Sequence, residues 1–126
     1  MLECVDLVER LRASLRAALE TRDMIAASAL RSALAAIANA EAVPEVAGVR
    51  FPGDSPHVAG ATAGPRSGEA DRRALSEAEI ARIVRREAEE RQIAAAEYER
   101  SGHIGRARRL RREAKVLAAA SDIAIG

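Results

Sequence analysis

The sequence predicts an all-α protein: a small antiparallel bundle of four main helices, with a long irregular loop between the second and third. Apolar residues recur at spacings of three and four, the period of helices with one buried face. Trp is absent and the only aromatic residues are Phe51 and Tyr98, which disfavours a β-sandwich, a base-stacking sheet and an aromatic-lined cofactor pocket. Because 30 of the 126 residues are alanines, the helices must pack closely to gain much from burial.

The first helix is predicted over residues 2–20, with an apolar stripe that comprises Val5, Val8, Leu11, Leu15 and Leu19. A short break at Thr21-Arg22-Asp23, which offers a capping oxygen, separates it from a second helix. The stripe of the second helix comprises Ala26, Leu30, Ala33, Leu34 and Ile37. Because the break is short, we expect these two helices to run antiparallel.

A long loop is predicted over residues 43–74, where all four prolines and five of the eight glycines occur. The segment has no sustained apolar period, and it exceeds the usual length of a loop within a compact domain. Its composition favours a flexible, disordered excursion over a functional loop.

The third helix is predicted to begin at a capping box, Ser76-Glu77-Ala78-Glu79, in which the first and last side chains satisfy each other's backbone N–H groups. It runs to about Arg100 and stops at Ser101-Gly102. Its stripe comprises Ile80, Val84, Ala88, Ala95 and Tyr98. The fourth helix is predicted over residues 104–120, with a stripe of Ile104, Ala107, Leu110, Ala114 and Leu117.

Catalytic and metal sites are not indicated by the sequence. The two histidines, His57 in the loop and His103 at a helix start, are far apart, and a nucleophilic triad needs a histidine positioned beside its Ser or Cys. The single cysteine, Cys4, forms no ligand pair at the spacings that zinc uses. We therefore expect no catalytic residues, no metal and no cofactor.

The chain carries the features of a cytoplasmic protein. One cysteine cannot form an intramolecular disulfide, and neither a signal peptide nor a bilayer-spanning apolar run is found. With 20 Lys and Arg against 19 Asp and Glu, the formal charge of +1 provides no global field for nucleic acid. We expect no membrane association, and any electrostatic recognition must be local.

Interleaved charges on the third helix predict an ion-pair network. Glu87 and Arg91 are one turn apart and lie close to the edge of the apolar stripe. Arg31, next to the core position Leu30, is placed to close an Arg31, Glu87, Arg91 network between helices. We interpret this network as structural and not catalytic, with its value in pairing and register.

The main functional hint is an asymmetry of charge along the chain. Residues 100–115 contain seven basic residues and one acid, Glu113, which gives +6 locally in a chain of +1 overall. The planar fork of arginine suits phosphate, and a helix with several arginines along one side can follow a nucleic-acid backbone. A solvated face without a ligand is the alternative. The predicted nucleic-acid-binding residues are Arg106, Arg108, Arg109, Arg112 and Lys115.

An ordered set of motifs resembles the GatB/YqeY family over roughly residues 2–120, interrupted by the loop. In the first half the motifs are Arg22-Asp23, Ala29-Leu30-Arg31 and Ala35-Ala36-Ile37-Ala38-Asn39-Ala40-Glu41. In the second half they are Leu75-Ser76-Glu77-Ala78-Glu79-Ile80, Glu87 with Arg91, Glu97-Tyr98, Ser101-Gly102-His103 and Ala107 through Glu113 to Leu117.

The resemblance implies a small helical protein related to the tail domain of the B subunit of the tRNA-dependent amidotransferase, where that domain helps to recognise tRNA. The carbon–nitrogen ligase activity associated with the family, with glutamine as amide donor, belongs to the amidotransferase complex, so we expect an accessory and not an enzyme. Typical stand-alone members continue through a Tyr-Leu-Pro-like boundary into a second small helical domain. Here we expect one YqeY-like domain over residues 1–120, a tail over 121–126 and no second domain.

Two hypotheses follow for the function. The leading one is a non-catalytic helical domain that associates with tRNA or an amidotransferase-type assembly through the basic face of the fourth helix. The competing one is a protein-interaction or self-association module, a homo-oligomer in the simplest case, whose alanine-rich faces dock on a partner.

Overall fold

The computed structural model describes residues 6–42 and 74–122, and within these ranges the chain forms four α-helices and no strand. The helices are α1 (Leu7–Glu20), α2 (Met24–Ala42), α3 (Glu77–Arg100) and α4 (Ile104–Ser121). The predicted all-α fold is therefore confirmed. The loop expected over residues 43–74 lies outside the described residues except for its last position, as do residues 123–126 of the expected tail.

The chain divides into two compact units. The first comprises Met1–Ile37 and Ser76–Gly126, and the second comprises Ala38–Leu75. In the second unit the described residues are 38–42, which end α2, and 74–75, which have no regular secondary structure. The first unit holds the remaining described residues.

Local side-chain chemistry sets where the helices begin. The Asp6 carboxylate accepts the Glu9 N–H at 2.8 Å, so α1 begins at Leu7, later than the apolar pattern predicts. The predicted capping box is present at α3: the Ser76 hydroxyl accepts the Glu79 N–H at 3.0 Å, and the Glu79 carboxylate accepts the Ser76 N–H at 2.9 Å.

The turns that follow α1 and α3 share one backbone motif. After α3, Gly102 adopts a φ of +85°, and the His103 N–H donates to the Tyr98 carbonyl at 2.8 Å. After α1, Arg22 takes the equivalent left-handed position with a φ of +60°, and the next N–H donates to the Ala18 carbonyl at 2.8 Å. Both are Schellman-type helix ends, which reverse the chain within three residues.

Contacts near both ends of α1 fix its direction relative to α3 and α4. The Leu7 N–H donates to Glu77 Oε1 at 3.2 Å, and Arg10 Nη2 donates to the Ser121 carbonyl at 3.1 Å. The start of α1 therefore lies beside the start of α3 and the end of α4. Just beyond the other end of α1, Asp23 contacts Arg112, nine residues before Ser121 on α4. α1 therefore runs antiparallel to α4 and in the same sense as α3, which forms an extensively packed hairpin with α4.

The core of the described bundle is built largely from small side chains. Nine of its sixteen buried apolar residues are alanines, and the largest fully buried side chains are Leu11, Leu30, Val84 and Leu117. Alanines let helix backbones approach closely, so the stability of this bundle depends on tight packing more than on the area that each residue buries.

Two positions of the predicted apolar stripes are exposed. Leu19 of α1 is 41% exposed, and Ile104 of α4 is 48% exposed. Both lie in a terminal turn of their helix, where fewer neighbours cover the side chain. In α1 the buried side is formed by Leu7, Leu11 and Ala18, so this helix is rotated slightly from the orientation that its large apolar residues predict.

Candidate nucleic-acid interface

The outer side of α4 carries most of the predicted basic residues. Ala114 and Leu117 are buried against the bundle, so residues on the opposite side of the helix face outward. Arg108, Arg112 and Lys115 are all exposed and follow an i, i+4, i+7 spacing. At 3.6 residues per turn they lie within an arc of about 60°. We call these three residues the basic ridge.

Of the other two predicted residues, Arg109 lies next to the basic ridge and Arg106 does not. The Arg109 side chain is largely exposed, and its Nε donates to Glu113 Oε2 at 3.3 Å. The Arg106 guanidinium carbon lies 5.6 Å from the centre of the Tyr98 ring of α3, within the range of a cation–π contact. Arg106 is therefore directed toward α3, away from the ridge.

Acidic side chains neutralise part of the basic surface. Arg112 Nη2 lies 3.0 Å from Asp23 Oδ2, at the start of α2. Arg111 donates to Glu99 at 2.7 Å and to Gln92 at 3.0 Å, both on α3. Within residues 6–42 and 74–122, no ion pair involves Arg108 or Lys115. The ridge thus has two uncompensated cations in the described part of the chain and one that is paired.

A half-buried charge cluster joins α3 to α4. Arg91 donates to Glu87 Oε1 at 2.9 Å and to Glu113 Oε1 at 2.8 Å. The second oxygen of Glu113 accepts from Arg109, so the carboxylate joins two arginines. Glu113 is only 9% exposed in its side chain. Two carboxylates and two guanidinium groups balance their charges, which is what the interior requires of buried ions.

The predicted network differs from this cluster at Arg31. Glu87 and Arg91 are paired as expected, but Arg31 is exposed, and no ion pair among the described residues joins it to Glu87. The neighbouring Ser32 contacts the cluster instead, with its hydroxyl donating to Glu87 Oε1 at 3.3 Å. One residue along a helix is a rotation of about 100°, which directs Arg31 away while Ser32 faces α3.

The sequence pattern does not reveal the partners that come from distant parts of the chain. In the sequence Glu113 is a lone acid within a basic segment and Asp23 a capping residue, and both belong to the motifs of the family resemblance, but neither is predicted to pair with another helix. A signal was present for Glu113, because an isolated carboxylate four residues after Arg109 and on the border of the apolar stripe is a candidate for a buried partner. No local signal connects Asp23 to Arg112, which lies 89 positions away.

The one contact between a hydroxyl and an imidazole among the described residues joins Ser101 Oγ to His103 Nδ1 at 3.0 Å, and both residues are exposed. The same hydroxyl also contacts the Glu97 and Tyr98 carbonyls, as expected at a helix end. No group of three or more metal-ligating side chains occurs in residues 6–42 and 74–122.

None of the four described helices combines the length and apolarity that crossing a bilayer requires. Comparison with known proteins finds no family model, no curated protein and no solved structure that matches the chain.

Proposed function

We propose that this chain is a non-catalytic, GatB/YqeY-like helical domain of the cytoplasm that binds tRNA, alone or within a tRNA-dependent amidotransferase-type assembly. The observation that carries the proposal is the basic ridge, Arg108, Arg112 and Lys115, on one exposed side of α4. The choice of tRNA as the ligand rests on the resemblance of the ordered sequence motifs to that family.

The spacing of the ridge suits contacts with a phosphate backbone. Along the helix axis Arg108 and Arg112 are about 6 Å apart, and Lys115 lies about 4.5 Å further on. Burial of the inner side of α4 holds these positions on a rigid helix. Each arginine can donate two parallel hydrogen bonds to one phosphate, whereas no aromatic side chain stands between the ridge residues to stack on a base. We therefore expect recognition of the backbone and not of base sequence.

Titration of a fluorescent tRNA transcript at several salt concentrations tests this proposal. Binding should weaken steeply with salt, and Arg108→Gln should weaken it several-fold for every tRNA while reducing the slope of log K against log salt by about 0.9. Arg82→Gln, which removes an exposed arginine from α3, is the matched control and should have little effect. Salt-insensitive binding, or none at micromolar protein, would refute the proposal.

A second candidate function is self-association or binding to a protein partner. Four large apolar side chains are exposed in the described part of the chain, namely Leu19, Met24, Ile93 and Ile104. Light scattering distinguishes the candidates: a stable dimer with no affinity for tRNA favours self-association. A clean monomer that does not bind tRNA counts against both. Turnover of an amide-transfer reaction by the purified chain alone would contradict a non-catalytic role.

A further inference from the structure

The turn between α1 and α2 meets the basic ridge at Arg112. Thr21, Arg22, Asp23, Met24 and Ile25 line a surface depression together with Arg112. The Asp23 carboxylate makes two different contacts here. Oδ1 accepts the Ala26 N–H at 3.1 Å, which caps α2, and Oδ2 accepts from Arg112 Nη2 at 3.0 Å.

We propose that Asp23 is a built-in counter-charge that competes with RNA phosphate for Arg112, so that RNA binding transfers the Arg112 guanidinium from the carboxylate to a phosphodiester. The inference rests on the proposed function, because it concerns the same basic ridge and the same class of ligand. It adds regulation of that ridge by a residue of the turn before α2, and it makes this turn part of the interface.

The Asp23–Arg112 pair is exposed enough to exchange partners. Its side chains are 30% and 55% exposed, respectively, so water screens the attraction and breaking the pair has a small cost. The ion pair between Arg91 and Glu113 is different, since both of its side chains are largely buried and its loss would leave ions without partners inside the bundle. Of these two pairs, the exposed one is the pair that a phosphate can displace.

Arg22 gives the same depression a second cation. It is exposed and follows directly after Thr21, in the turn that positions Asp23. Because Arg22 and Arg112 line the same depression, a phosphate bound there would contact both arginines. The Asp23 carboxylate lies at the same place, in contact with Arg112. The Asp23 carboxylate therefore holds the Arg112 guanidinium at the surface where a phosphate would contact both arginines.

The capping contact of Asp23 does not require its negative charge. Ser and Asn cap helices about as well as Asp, and they would accept the Ala26 N–H in the same way. Substitution of Asp23 by either residue thus removes the competing charge while it retains the cap. Asp6 provides a matched control, because it caps α1 by the same contact, to Glu9, at the opposite end of that helix.

The experiment measures the affinity of the full chain for a fluorescent tRNA transcript. Asp23→Ser and Asp23→Asn should each bind about two- to fivefold more tightly than the wild type, a range that corresponds to the energy of one exposed ion pair. Asp6→Ser makes the same change of charge about 20 Å from the turn, beyond the Debye length at physiological salt, and should bind like the wild type.

Combination of Asp23→Ser with Arg112→Gln tests whether the gain acts through Arg112. The gain should disappear in the Arg112→Gln background, since no guanidinium is left for which carboxylate and phosphate compete. A merely structural role of Asp23 would not make the gain depend on Arg112. Circular dichroism melting curves verify that every variant is folded at the temperature of the titration.

Four outcomes would overturn the inference. If the wild type binds tRNA and both Asp23 variants bind it equally or more weakly, the inference is refuted and the proposed function stays intact. An equal gain in Asp6→Ser, or a gain that persists without Arg112, would assign the effect to net charge. Absence of tRNA binding by all variants would refute the proposed function, and this inference with it.

Discussion

Neutralisation of Glu113 tests whether the half-buried charge cluster stabilises the bundle. Glu113→Gln preserves the size of the side chain but removes the charge that pairs with Arg91 at 2.8 Å and with Arg109 at 3.3 Å. Breaking a buried ion pair from one side costs about 3–5 kcal/mol, because the remaining ion loses its compensation. Arg91 retains Glu87 at 2.9 Å, so we expect a loss at or below the lower end of that range, about 2–3 kcal/mol.

Thermal unfolding followed by circular dichroism measures this loss. For a domain of this size 1 kcal/mol corresponds to about 4–8 °C, so Glu113→Gln should lower the Tm by roughly 10–20 °C. Glu99→Gln is the matched control: Glu99 also pairs with an arginine, Arg111 at 2.7 Å, but its side chain is 48% exposed. An exposed pair is worth about 1 kcal/mol at most, so the control should shift the Tm by a few degrees.

Equal shifts for the two variants would contradict this reasoning. They would mean that burial of the Glu113 carboxylate does not strengthen its interaction with Arg91 over that of a surface pair.

Four further substitutions have expected effects on the free energy of unfolding, each measurable by denaturant or thermal unfolding. Leu117→Ala removes a fully buried side chain and should cost about 2–5 kcal/mol; a smaller loss would mean that the neighbouring helices collapse into the space. Gly102→Ala should destabilise by about 1 kcal/mol because of its φ of +85°. Gly105→Ala, in the first turn of α4 with nothing within 4 Å of the added carbon, should instead stabilise by about 0.5 kcal/mol. Arg22→Gly should stabilise by about 1 kcal/mol, since it relieves a side chain at a φ of +60°; a loss would show that Arg22 makes a compensating interaction.

The helices and their ends could be predicted because they depend on residues close in sequence. The capping box of Ser76 and Glu79 joins side chains three positions apart, and the end of α3 depends on Gly102 in the same turn. The exposed spacing of Arg108, Arg112 and Lys115 also follows from the helical period once the apolar stripe of α4 is recognised. All of these features are fixed within a few turns of one helix, where sequence spacing and spatial distance correspond.

The partners that charged residues find on other helices were decided only by the tertiary structure. Arg91 meets Glu113 across 22 positions, and Arg112 meets Asp23 across 89. Such contacts depend on the rotation and register of whole helices. The rotation and register are in turn determined by the sum of many small packing energies. A rotation of about 100° is enough to exchange Arg31 for Ser32 at Glu87. The sequence alone therefore determined four helices and a basic outer side of α4, whereas tertiary packing decided which of those cations face solvent and which are held by acids.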